Sequence, residues 1–97
     1  MKVVAISMAL KYRKPKKLED NLNYIENILK EVKNIKPDLV ALPEVFAYSG
    51  VELKKRKIEE YEKIKTFLKG RARKTSCWIC GSSYDVVGEK IYNRCFL

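Results

Sequence analysis

Glu44 is the carboxylate in this chain best placed to do chemistry. It stands in Ala41-Leu42-Pro43-Glu44, directly after a short apolar run that reads as a strand. In open parallel sheets ligands collect outside the carboxyl ends of the strands, so a charged residue there lies where a reaction would be run. Pro43 fixes its own backbone torsion and stiffens the turn that aims Glu44. Half-buried beside Phe46 and Tyr48, the carboxylate would have a raised pKa and could act as a general base. Spacing alone leaves an equal alternative, a glutamate that opens a loop and faces water.

The other reactive side chains are Cys77, Cys80 and Cys95, and an odd number does not make a disulfide scaffold. Cys77 and Cys80 form a C-x-x-C, but a zinc ribbon needs a second pair and only Cys95 remains. Cys77-Trp78-Ile79-Cys80 reads as a buried strand rather than a helix N-terminus, which removes the usual ground for a low-pKa redox pair. On a strand, residues three apart lie about 10 Å apart and face opposite sides. A disulfide reaches no more than roughly 7 Å. The cysteines are therefore expected as core residues, and no metal is expected. The chain has no His, so no imidazole ligand and no Cys-His or Ser-His pair exists within it.

The elements that must position these residues alternate. Residues 2–10 are apolar and β-branched at the start, suiting a strand buried on both faces. Residues 11–17 are basic, hold Pro15 and read as a loop. From Leu18 the apolar positions are Leu22, Ile25, Leu29, Val32 and Ile35, one face of an amphipathic helix. Glu19 and Asp20 sit in its first turn, where the helix dipole favours negative charge. Pro37 stops it, because the residue before a proline avoids the helical region. Residues 38–42 form a second strand, and residues 44–50 a loop. A second helix over 53–74 carries Ile58, Tyr61, Ile64, Leu68 and Ala72 on one face, with Gly70 loosening its last turn. Residues 77–84 and 90–97 are two further strands joined at Val87-Gly88-Glu89, a hairpin signal. The order is β-α-β-α-β-β, an α/β fold. Two βαβ units imply parallel pairs with right-handed crossovers, and the hairpin adds an antiparallel neighbour, so the sheet is mixed.

Length and charge bound the rest. Ninety-seven residues make one domain or one piece of a larger one, and a chain this short buries only about 60–65% of its unfolded surface. The hydrophobic fraction of 46% is that of a globular protein. No apolar run approaches the roughly 18–20 residues that span a bilayer, and no signal-peptide pattern is present, so a cytoplasmic protein without membrane contact is expected. The net charge of +9 clusters at 11–17, 54–57 and 69–74. A nucleic-acid-binding module is one alternative, but no stacking aromatics or binding motif interleave with the lysines. A solvated surface of the kind common in hyperthermophile proteins accounts for them better. The apolar last strand, Ile91 to Leu97, reads as an unfinished edge that invites pairing. A second alternative is therefore a non-catalytic interaction fragment that pairs with a complementary chain.

The run Asp38-Leu39-Val40-Ala41-Leu42-Pro43-Glu44-Val45-Phe46, followed by Gly50, resembles the first catalytic motif of the nitrilase superfamily, the carbon–nitrogen hydrolases. Four further segments agree in order. Residues 2–8 resemble the opening strand, and Asn21-Leu22 the start of the first helix. Residues 68–72 leading into 77–82 with Gly81 resemble the second helix and a strand ending in Gly-Ser. Tyr92-Asn93 resembles the Tyr-Asn of the next hairpin strand. The resemblance covers residues 1–97 as a partial carbon–nitrogen hydrolase domain, roughly the first third. It implies the N-terminal part of a four-layer α-β-β-α sandwich that hydrolyses or condenses non-peptide C–N bonds of small-molecule amides or nitriles. It also implies no cofactor, and a homo-oligomer or a complementary chain as partner. Its Glu-Lys-Cys triad uses Glu as general base, Cys as thioester-forming nucleophile and Lys as oxyanion stabiliser. Glu44 matches the Glu. The Lys and Cys motifs lie beyond Leu97, and neither Lys90 nor Cys95 matches them, so the chain is expected to be inactive alone.

Overall fold

The computed structural model of the chain describes residues 1–8, 15, 17–51 and 58–97. The basic runs at 11–17 and 54–57, and the expected helix start at Leu53, lie outside these residues apart from Pro15 and Lys17. The elements are β1 (Val3–Ala5), α1 (Leu18–Val32), β2 (Leu39–Ala41), α2 (Ile58–Thr75), β3 (Trp78–Val87) and β4 (Lys90–Phe96), with 3-10 turns at Lys33–Ile35 and Phe46–Tyr48. This is the expected β-α-β-α-β-β order. The sheet runs β1-β2-β3-β4, with β1, β2 and β3 parallel and β4 antiparallel to β3. At the hairpin Val87 pairs with Lys90, and Gly88 takes the positive φ of 62° that such a two-residue loop needs.

Both helices cover one face of this sheet. Val4, Val40 and Ile79 are register partners across β1, β2 and β3, and they pack into a core with Leu22, Ile25 and Leu29 of α1 and Ile64 and Leu68 of α2. The amphipathic stripe of α1 is thus spent on the sheet, each fully buried Leu or Ile contributing roughly 1.5–3 kcal/mol. The helices are also joined at their rims by ion pairs, Glu19 with Lys63 and Glu26 with Arg71. The hydrogen bond from Lys63 holds the Glu19 carboxyl below its ordinary range. No helix among the described residues is long and apolar enough to cross a membrane.

Three expectations change. Ile35 leaves the helical face: α1 tightens into a 3-10 turn after Val32, Lys36 turns left-handed, and Ile35 is 49% exposed. A turn of three residues cannot keep a side chain on a stripe set by 3.6. The first strand is covered on one face only, since Val3 and Ala5 are exposed while Val4 is partly buried. Finally, the cysteines are not uniformly core residues. Cys77 precedes β3 and packs half-buried against the core, Cys80 is half-buried, and Cys95 is exposed; all three are free thiols. Past Gly70, α2 runs on to Thr75, close to the expected end at 74.

Candidate functional site

The chain leaves the sheet in a fixed sequence of contacts. Past the end of β2, the Leu42 N–H still donates to the Cys80 carbonyl at 2.9 Å, so the parallel ladder continues one residue further. Pro43 has no N–H to give, and pairing stops there. Glu44 follows as the first residue of the turn.

Everything immediately behind Glu44 is anchored. Val45 takes a left-handed backbone, φ 42° and ψ 46°, which costs a β-branched residue of order 1–3 kcal/mol. Its N–H donates to the buried Ser82 hydroxyl at 2.8 Å, one of the contacts that hold this geometry. Phe46, Ala47 and Tyr48 form a buried 3-10 turn. Phe46 lies over Gly81, where an added Cβ would stand 3.3 Å from Leu68 Cδ1 and 3.4 Å from Phe46 Cε1, so a glycine admits the close approach. From α1, Asn21 is fully buried and its amide donates to the carbonyls of Ala47 at 2.8 Å and Ser49 at 2.9 Å. Those two carbonyls belong to a turn that no strand can pair, and the buried amide satisfies both.

Glu44 itself projects from this anchored turn and is exposed. Its Oε1 accepts a hydrogen bond from Asn93 Nδ2 at 2.6 Å, across 49 residues of chain. Asn93 lies in β4 directly opposite Tyr84 of β3, and the Tyr84 ring packs on Tyr48 with centroids 5.0 Å apart. One cross-strand pair therefore grips both ends of the turn, Glu44 through Asn93 and Tyr48 through Tyr84.

Compared with the sequence reading, Glu44 stands where expected, at the carboxyl end of a parallel strand. The half-buried setting does not hold: Phe46 and Tyr48 point into the core as anchors, and the carboxylate faces outward. Asn21, Ser82 and Asn93 have roles that the spacing did not reveal. Asn21 carried a signal, a polar residue between Leu18 and Leu22 on an otherwise apolar stripe. Asn93 carried none beyond its place in the Tyr-Asn pair. Lys90 and Cys95 both lie in β4.

No family model matches the sequence, and no curated relative does either. Solved structures do match. The chain superposes on an amidase from Nesterenkonia sp. with a TM-score of 0.77 at 18% identity, covering 98% of this chain and 37% of that one. It superposes equally on a carbon–nitrogen hydrolase from Helicobacter pylori G27, TM-score 0.77 at 19% identity, covering 99% of this chain and 35% of that one. The chain thus shares its fold with part of these structures and spans little more than a third of their length. Of the expected α-β-β-α layers, the described residues form two, one helix layer and one mixed sheet.

Proposed function

We propose that residues 1–97 are the N-terminal portion of a carbon–nitrogen hydrolase of the nitrilase superfamily, in which Glu44 is the general base. The observation that carries this reading is the position of Glu44: a Leu-Pro-Glu motif at the carboxyl end of a parallel strand, in a fold shared with an amidase and a carbon–nitrogen hydrolase over the length of the chain. In the complete protein the substrate would be a small amide or nitrile. Glu44 would take the proton of a cysteine nucleophile and the thiolate would attack the amide carbonyl or nitrile carbon. The nitrogen would leave as ammonia or an amine carrying that proton, from a nitrile only after one water has added to the thioimidate. A further water would hydrolyse the resulting thioester to the acid and the free thiol. A lysine would stabilise the negative charge that develops on the substrate. Both the lysine and the nucleophile belong to segments beyond Leu97 in this reading.

Members of such a triad act as a unit, so one of three supplies no turnover. Ammonia release from a panel of small amides and nitriles should be undetectable for residues 1–97. Joined to a downstream segment carrying the Lys and Cys motifs, the chain should release ammonia, and Glu44→Gln should remove that activity. Turnover by the 97-residue chain that is lost on Glu44→Gln would overturn the three-part assignment.

A further inference from the structure

We propose that Asn93 is the positioning residue of Glu44, setting the rotamer of the carboxylate from the far strand of the hairpin. The inference rests on the reading of Glu44 as a general base.

Glu44 presents a physical problem that the anchored turn does not solve. Ser82, Asn21 and Phe46 fix its backbone from behind, yet the side chain is exposed and has three rotatable bonds. A free glutamate of this kind samples many rotamers, and ordering a side chain of its length carries an entropic cost. A base must hold its oxygen about 3–3.5 Å from the reacting atom. Asn93 supplies that order with a short bond to one oxygen, Nδ2 to Oε1 at 2.6 Å. Bonds to an ionised acceptor are about twice as strong as neutral ones, so a single amide is enough to bias the rotamer. Among the described residues the other oxygen, Oε2, meets no hydrogen-bond donor, which leaves its lone pairs for a proton.

The chemistry of the donor also matters. A lysine or arginine at position 93 would hold a carboxylate as well, but its charge would weaken any base it paired with. An amide is neutral and cannot take the proton away. The mounting is rigid as well, because Asn93 is the register partner of Tyr84, whose ring is packed on Tyr48 at the other end of the same turn. The strand that orients the side chain is thereby indexed to the turn that carries the backbone.

Two measurements test this and separate its failure from failure of the catalytic reading. In 15N spectra of the 97-residue chain, Glu44→Ala should shift the Asn93 side-chain amide resonances and speed their hydrogen exchange, with the core resonances unchanged. Asn93 amide signals indifferent to Glu44→Ala overturn the proposal whatever the protein catalyses. If the chain does not hold its fold alone, the spectra are recorded on the complete protein. There, Asn93→Ala should lower kcat by about 10²-fold with KM little changed, the scale of a misplaced reacting group. Asn93→Asp should lower it further through like-charge repulsion, and Asn93→Ser, which keeps a neutral donor, should restore part of it. A kcat within about threefold of the parent for Asn93→Ala, while Glu44→Gln is inactive, overturns the positioning role and leaves the base intact. Full activity of Glu44→Gln instead removes the base, and with it the basis of this proposal.

Discussion

The two faces of the sheet are made by the same three parallel strands and have opposite fates. On one face Val4, Val40 and Ile79 join a core that holds side chains of both helices, and Val40 and Ile79 are buried. On the other, the neighbouring row is Val3, Leu39 and Trp78, with Val3 at 52% exposure and Trp78 at 65%. Alternation along a strand sends successive side chains to opposite faces, so a shift of one residue separates a core from a bare surface. Composition does not distinguish them, since both rows are apolar. What differs is that the amphipathic helices were built for one side only.

Mutations should expose that asymmetry most strongly in the core. Ile64→Ala, fully buried between α2 and the sheet, should cost about 2–5 kcal/mol in urea unfolding. Trp78→Ser on the bare face should change stability by less than about 0.5 kcal/mol. Equal costs at the two sites would mean that the open face is covered in solution. Next in size comes Asn21→Ala, expected at about 1–3 kcal/mol. It leaves the Ala47 and Ser49 carbonyls short of their buried donor, a larger penalty than the lost bond alone. A cost near zero there would show that water reaches the turn and that Asn21 does not hold it. Smallest is a difference in thiol chemistry between the two sides. Burial pushes the Cys77 thiol up, so its alkylation by iodoacetamide should need a higher pH, whereas the exposed Cys95 should react first. Mass spectrometry of peptides after timed labelling decides the order, and faster labelling of Cys77 would contradict it.

What is legible in the sequence follows the same division. The stripe Leu18, Leu22, Ile25, Leu29 and Val32 was legible because a helix repeats its own geometry, and each position is fixed by those three or four residues away. The parallel order and the hairpin were legible because connection length and Gly88 constrain them locally. The fate of residues 2–8 was not, since an unbroken apolar run says that a strand is buried without saying by what. The place of Ile35 is not legible, because the switch to a 3-10 turn leaves no mark on apolar spacing. At the site, Glu44 was found through its motif and its place after β2, both local. Its exposure and its bond to Asn93 depend on a strand 49 residues away, and nothing local reports a partner at that distance.

That separation has a kinetic consequence. Contacts between distant residues form only after the intervening loop has been closed, at an entropic cost that grows with the logarithm of its length. The Asn21 bonds to Ala47 and Ser49 span 26 and 28 residues and so close at a smaller entropic cost than the 49-residue Asn93 bond. The Asn93 bond further requires the hairpin to fold back upon β3, since Asn93 is brought to Glu44 by its pairing with Tyr84. A chain whose hairpin has not closed upon β3 would therefore carry the carboxylate without its alignment.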